Sequence, residues 1–261
     1  MIVRTPEERS GIIEAGRRLG VVLHEVSKMV RPGVTSAELD VYAEKLILEG
    51  GDMPAFKGYT PEGAGRKYPA TMCVSVNDEV VHGVPNENPV TLKEGDIVAL
   101  DLGLIHEGLF VDSAVSVPVG KIDKKTQQLL DATRQSLEEA IAVARPGARV
   151  GDISHATEKA FKGTGFSVVK LLGGHGVGRA VHEEPFIANA GTPGTGPEIV
   201  SGMVLALEPI ANMGKAAVNI SNDGYTYRTR DGSKSAHFEH TILVEDKETL
   251  VVTRRPGEGV S

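Results

Sequence analysis

Two apolar runs, Ile97-Val98-Ala99-Leu100-Asp101-Leu102-Gly103-Leu104-Ile105 and Leu109-Phe110-Val111-Asp112-Ser113-Ala114-Val115, flank the dipeptide His106-Glu107, and each carries one aspartate at its heart. Apolar runs on either side of a short polar break read as a β-hairpin. With His106-Glu107 as the loop, Asp101 stands directly opposite Asp112. A turn one step later leaves both on the same face, placed diagonally. Like charges so close in a sheet destabilise it, and burying either one unpaired is expensive. The pair therefore demands a shared proton or a cation between the carboxylates.

Three further residues favour the cation. Leu205-Ala206-Leu207-Glu208-Pro209 ends an apolar strand on a carboxylate, and Ala236-His237-Phe238-Glu239-His240-Thr241-Ile242 buries another by period-two alternation. Leu171-Leu172-Gly173-Gly174-His175-Gly176-Val177-Gly178 presents an imidazole from what reads as a flexible glycine loop after a strand. The four carboxylates and one neutral imidazole of Asp101, Asp112, His175, Glu208 and Glu239 carry a charge of −4, which two divalent cations cancel. So oxygen-rich a set suits Mn, Fe, Co or Mg better than a thiolate-rich structural zinc site. Two such ions about 3.5–4 Å apart form a hydrolytic centre.

The 261 residues are enough for one globular domain or two fused halves with an ample core. A net charge of −7, with dispersed basic residues, argues against a nucleic-acid or membrane-surface partner. The single Cys73 excludes an intramolecular disulfide and suits a reducing cytoplasm. Met1 to Glu8 lacks a signal-peptide core, and no stretch approaches the roughly 20 apolar residues of a membrane span.

Helical periodicity predicts helices over 6–30, 36–48 (capped by Ser36), 124–144 and about 152–162. Strands are expected near 70–76, 79–83, 97–105, 108–118, 166–172, 202–208, 236–244 and 249–253, with loops over 57–68 and 189–200. The chain also repeats. Arg31-Pro32-Gly33 and Arg145-Pro146-Gly147 each end a helix, Gly95 to Asp101 matches Gly202 to Glu208 acid for acid, and Val81-His82-Gly83-Val84-Pro85 echoes Val181-His182-Glu183-Glu184-Pro185. One catalytic domain over 1–261 is expected, its halves (about 7–120 and 124–253) related by a pseudo-twofold axis, with the acids meeting at the seam, a usual place for a pocket.

Asn77-Asp78-Glu79-Val80-Val81-His82-Gly83-Val84-Pro85, Gly174-His175-Gly176-Val177-Gly178, His182-Glu183-Glu184-Pro185, Glu208-Pro209 and Ser235 to Thr241 stand in an order and spacing that resemble the pita-bread metallopeptidases, and within them the type I methionine aminopeptidases. The likeness spans about residues 5–250. It implies an α+β pita-bread (creatinase/aminopeptidase) fold with a central, curved, mostly antiparallel sheet. It also implies Asp112 and Glu239 shared between two metals, Asp101 a further ligand, and His175 and Glu208 completing one ion. The metals are Co, Mn, Fe or Zn, with a monovalent cation as a further candidate. The implied activity is removal of an N-terminal methionine when the second residue is small, by attack of a metal-bridging hydroxide. Glu208 relays the proton, His182 bonds the carbonyl oxygen, and His82 contacts the amide nitrogen. Tyr68, Cys73, His82, Val181 and Tyr225 line the methionine pocket. Nascent polypeptide N-termini are the implied partners and the ribosome a candidate one; no nucleic acid, no membrane and a monomer are expected, in the cytoplasm.

The chain departs from that family in a longer segment over Tyr59 to Tyr68, in His237 where Gln is usual, and in Tyr225 where Trp is common. Any one buried acid is more often a hydrogen-bonded structural residue than a ligand, but five groups at family spacing reverse that. His24, His106 and His155 read as ordinary surface histidines, His240 as structural, and Cys73 as a pocket wall, not a nucleophile. Two alternatives stand beside the aminopeptidase: an Xaa-Pro hydrolase, disfavoured by chain length, and a non-catalytic peptide-binding module, disfavoured because all five groups are kept.

Overall fold

The computed structural model describes residues 1–61 and 65–259, so part of the Tyr59 to Tyr68 segment (62–64) lies outside the described residues. The first half runs α1 (Pro6–Lys28), α2 (Ser36–Glu49), β1 (Met53–Pro54), β2 (Met72–Val76), β3 (Glu79–Val81), β4 (Ile97–His106) and β5 (Leu109–Pro118). The second opens on α3 (Lys124–Val143) and α4 (Val150–Ala160), followed by β6 (Ser167–Val168), β7 (Gly173–Gly176) and β8 (Glu183–Ala188). It continues through β9 (Val204–Leu207), β10 (Ile210–Asn212), β11 (Val218–Ile220), β12 (Tyr227–Thr229), β13 (Ser235–His237), β14 (His240–Val244) and β15 (Thr249–Val251). No helix among the described residues is long and apolar enough to cross a membrane.

Each half is opened by the same punctuation. Thr5 caps α1 by accepting from the Glu8 amide, with Pro6 in the first turn where its missing N–H is harmless. The cap of α2 is Thr35, in a full capping box with Glu38, not Ser36. Ser36 is instead the first helical residue, and its hydroxyl links Pro85 O (3.0 Å) and the Val90 amide (3.0 Å). The matching helix, α4, starts two residues earlier than its apolar pattern suggests because Asp152 reaches back to the Arg149 amide at 2.7 Å. Both Arg-Pro-Gly turns put glycine at positive φ (+93° at Gly33, +86° at Gly147), a conformation costly for other residues. They dock alike, Gly33 N–H on Leu92 O (2.9 Å) and Gly147 N–H on Ile199 O (3.0 Å).

Among the described residues the strands form four small antiparallel sheets. β1 and β2 both pair with β4, whose other edge takes β5; a five-stranded sheet runs β15-β14-β9-β7-β8. Ile12, Leu19 and Leu23 of α1 and Leu100, Leu102 and Leu104 of β4 belong to one buried core. The hairpin turn is Glu107-Gly108, both at positive φ (+49° and +79°), one step beyond His106-Glu107. Asp112 is therefore opposite Gly103 and Asp101 opposite Ala114, so the aspartates share a face diagonally and do not stand directly opposed.

Three expectations change for tertiary reasons. The span 166–172 holds only the two-residue β6, and the strand expected over 236–244 breaks at Phe238-Glu239 into β13 and β14. The Glu239 backbone leaves its own sheet there and pairs with Ala114 of the other half (Glu239 N–H to Ala114 O, 2.9 Å; the reverse bond 3.3 Å). The glycines around His175 form strand β7, not a flexible loop. A Cβ on Gly174 would stand 2.1 Å from Ala206 O, and one on Gly176 2.3 Å from Glu184 O, so glycine is needed for the close approach of neighbouring strands.

Hydroxyls extend the seam on either side of Ala114 and Glu239. Thr241 Oγ1 accepts from the Asp112 amide (2.9 Å) and donates to Asp112 O (2.7 Å); Ser116 Oγ accepts from the His237 amide and donates to His237 O, both at 2.9 Å. Thr241 is wholly buried, so replacing it with valine strands an amide and a carbonyl. Thr241→Val is expected to lower stability by about 1–3 kcal/mol through a lower denaturant midpoint at unchanged m-value. Thr241→Ser, which loses one methyl group, should cost about 1 kcal/mol. A valine variant as stable as the parent chain would remove these hydroxyl bonds from the account of the seam.

Candidate metal centre

The seam brings together all five groups singled out above. Asp101 lies on β4, Asp112 on β5 and His175 on β7; Glu208 follows β9, and Glu239 occupies the break between β13 and β14. All but half-buried Glu208 are fully buried. His175 Nε2 lies 3.7 Å from Glu208 Oε1 and 4.0 Å from Asp112 Oδ2. One donor atom each of Asp112, His175 and Glu239 falls within 4.8 Å of the others. These separations are too long for hydrogen bonds but suit ligands gathered around a common ion at about 2.0–2.2 Å.

The electrostatics agree. Burial, then the charge of Asp112, pushes the Asp101 carboxyl well above the usual range. Burial, then Asp101 and Asp112, does the same to Glu208; burial, Asp112, Glu208 and Asp101 do it to Glu239. Asp112 is raised by burial to about 7. Its Oδ1 is buried without a hydrogen-bond partner among the described residues. Mutually repelling acids with an orphaned oxygen fit divalent cations, which supply the missing positive charge. His175 is held neutral by burial, its pKa lowered to about 3. Its Nδ1 stands 2.9 Å from Gly176 O, and an N–H donated there leaves the Nε2 lone pair free to ligate.

A cavity of about 100 Å³ adjoins the five groups and is walled by Tyr68, Cys73, His82 and Tyr225 as expected. Val181, expected in the wall, is not one of the lining residues; it packs in the apolar cluster of Tyr68, Cys73 and Tyr225, which are. Cys73 pairs directly with Asp101 across β2 and β4, and burial keeps its thiol protonated, as befits a wall and not a nucleophile. Tyr68 holds its hydroxyl within 3.1 Å of Met72 O and 2.9 Å of Gly83 O, and its ring meets Tyr225 edge-on at 5.1 Å. His82 takes a positive φ of +58° and faces Tyr227 at 5.8 Å, while burial lowers its pKa to about 4. His182 is exposed at the mouth, 4.5 Å from His175 ring to ring.

Sequence inspection missed several wall residues. Phe56, Tyr59, Pro61 and Val81 complete the cavity. Tyr59 brings its hydroxyl to 3.0 Å from His182 Nδ1. His237, expected only to share a face with Glu239, turns Nε2 towards Glu208 and Glu239, and neither of its ring nitrogens has a hydrogen-bond partner among the described residues. His106 is no plain surface histidine: its Nδ1 lies 2.7 Å from Asp52 Oδ1. His240 is structural as expected, bonded to Thr253 Oγ1 at 2.9 Å. The Met1 amine contacts Val177 O (3.1 Å) and Glu183 Oε2 (2.7 Å), which ties down the segment carrying His182.

An acid-rich divalent centre at the end of an apolar pocket defines a metal-dependent hydrolase. The chain belongs to metallopeptidase family M24, whose family model matches residues 10–246. It is 42% identical over 244 residues to the methionine aminopeptidase of Aquifex aeolicus, covering 93% of this chain and 94% of that one. The crystal structure of methionine aminopeptidase from Thermotoga maritima matches with a TM-score of 0.92 at 42% identity, over 98% of this chain and all (100%) of that one. The prolidase from Pyrococcus furiosus, 19% identical with a TM-score of 0.73, covers 97% of this chain and 65% of its own, a likeness of fold alone. The expected pita-bread fold therefore holds.

The raised carboxyl pKa values fix a sign. A folded chain without cations holds protons that the unfolded chain releases, so this stability is complete below about pH 4 and is lost as pH rises through about 7 for Asp112. Melting temperatures of chelator-treated protein should fall between about pH 5 and about pH 8. Added Mn(II) should restore more stability at the higher pH, because there it does not compete with protons. Melting that rises over this range after chelation would contradict the acid cluster.

Proposed function

We infer that this protein is a methionine aminopeptidase, removing the first methionine from nascent chains and peptides whose second residue is small. The observation that carries this is the junction of an oxygen-rich metal centre with a short apolar cavity that Phe56, Tyr68, Cys73 and Tyr225 help to wall. A cavity of this kind suits one unbranched, soft side chain. Asp101, Asp112, His175, Glu208 and Glu239 would hold two divalent ions of Mn, Fe, Co or Zn. Bound there, they supply Lewis acidity and bring the pKa of coordinated water down towards 7.

The chain's own groups do the rest. Glu208 lies at the cavity edge, where its carboxylate can take a proton from water and return it to the leaving amine. His182 faces the carbonyl oxygen on which charge develops, and His82 the amide nitrogen. Tyr59 Oη lies 3.0 Å from His182 Nδ1; the oxyanion role calls for the tautomer in which the Tyr59 O–H donates to Nδ1 and the ring proton is on Nε2. His182 is thus placed to act as a neutral hydrogen-bond donor. Nascent-chain N-termini are the partners this pocket accepts, in a cytoplasmic monomer; docking on the ribosome is a further part of the proposal.

Peptide hydrolysis after chelation and Mn(II) or Co(II) add-back tests the specificity. Met-Ala-Ser should be cleaved, with Met-Leu-Ser, Leu-Ala-Ser and Ala-Pro-Ala left intact. Cleavage of the proline peptide would move the chain to the Xaa-Pro hydrolases, and no cleavage of any peptide by folded, metal-loaded protein would favour a binding module. For the oxyanion role, His182→Ala is expected to lower kcat by about 10²–10³-fold with metal affinity unchanged. Loss of metal would make His182 a ligand instead.

A further inference from the structure

His237 is the one imidazole at this centre whose chemistry is unassigned. It is 2% exposed, lines the cavity, and has both ring nitrogens without a hydrogen-bond partner among the described residues. Its backbone is clamped by Ser116 and paired with Ile210, so the ring is delivered by a rigid stretch. Nε2 points at two carboxylates, 3.6 Å from Glu208 Oε2 and 3.8 Å from Glu239 Oε2.

Comparison with His175 decides between ligation and donation. A metal-bound histidine almost always gives its second ring N–H to an acceptor. His175 does so, with Nδ1 at Gly176 O and Nε2 free to face Glu208 Oε1. Nδ1 of His237 has no acceptor, so ligation through Nε2 would leave a buried N–H orphaned, which folded proteins rarely tolerate. With the proton on Nε2 the orphan is only a lone pair, and the N–H faces carboxylate oxygens. The two imidazoles then address opposite oxygens of one carboxylate, His175 at Oε1 and His237 at Oε2.

We propose that His237 is a positioning residue, whose Nε2–H donates to Glu208 Oε2 and holds the carboxylate with Oε1 turned towards the ion that His175 faces. A shift of under about 1 Å brings the pair to hydrogen-bond distance. The proposal rests on Glu208 being a metal ligand, as inferred above. It adds the statement that the bite of Glu208 is set from the β13 side by a neutral donor.

The tautomer is the direct test. In side-chain ¹⁵N-histidine spectra of protein loaded with a diamagnetic ion such as Zn(II), His237 should be the Nε2–H tautomer and His175 the Nδ1–H tautomer. An Nδ1–H form of His237 would make it a ligand and overturn the proposal. Calorimetric titration of metal-free protein with Mn(II) supplies an independent readout. His237→Gln, which keeps an N–H near the Nε2 position, should bind within about threefold of the parent chain, whereas His237→Leu should bind about 10–100-fold more weakly. Equal affinity for all three chains, or equal losses in both variants, would overturn it. Glu208→Gln separates the levels: if that variant keeps full Mn(II) affinity, the ligand assignment beneath the proposal is itself wrong. If it loses affinity while His237→Leu does not, only the role of His237 falls.

Discussion

The seam between β5 and the β13–β14 break is the constraint on which the rest depends. Ala114 and Glu239 exchange backbone hydrogen bonds, and the hydroxyls of Thr241 and Ser116 continue the contact where the two backbones diverge. Asp112 and His237 are the residues those hydroxyls hold, so the bonds that join the halves also set the depth of two groups at the centre. Serine and threonine can both accept from an amide and donate to a carbonyl, and a buried junction of two strands that do not share a full ladder needs that. Without it, each half would bury unsatisfied peptide groups at the place where acids already make burial expensive.

The centre is electrostatically costly by construction. Burial raises the proton affinity of Asp101, Asp112, Glu208 and Glu239, and the charge of Asp112 adds to that rise in the other three. Such crowding opposes folding, yet it gives divalent cations a site already shaped and largely stripped of water. The surrounding histidines are kept neutral by the same burial: His82, His175 and His237 all have lowered pKa values. Neutral imidazoles can ligate or donate without adding repulsion towards the ions, so acids supply the charge and histidines the direction.

Much of this was legible from residue order. Asp101, Asp112, Glu208 and Glu239 were conspicuous because each interrupts an apolar run, and the Arg-Pro-Gly repeat announced two matched helix ends that the structure docks in matched ways. What was illegible depends on contacts far along the chain. A glycine-rich stretch looks flexible in isolation; only the strands flanking β7 show that the missing side chains make room for backbone. The break at Phe238-Glu239 has no local signal, since its cause is Ala114 in the other half. Strands β10, β11 and β12 have three residues each, too few for a period-two pattern to emerge. Tyr59 reaches His182 from a segment whose sequence suggests only a loop.

The exposed Glu107-Gly108 turn has a reach far beyond its own size. Side chains on a strand alternate between faces, so the number of residues in this turn acts as a parity switch for everything after it. With two residues, Asp112 joins Asp101 on the side of the cavity, while Val111 and Val115 face the core shared with Ile12 and Leu19 of α1. Adding or removing a single residue there, with β4 and its pairing kept, would turn Asp112 against that helix and bring a valine to the acids. The composition of the centre is thus written partly in the length of a solvent-facing loop that touches none of its ligands.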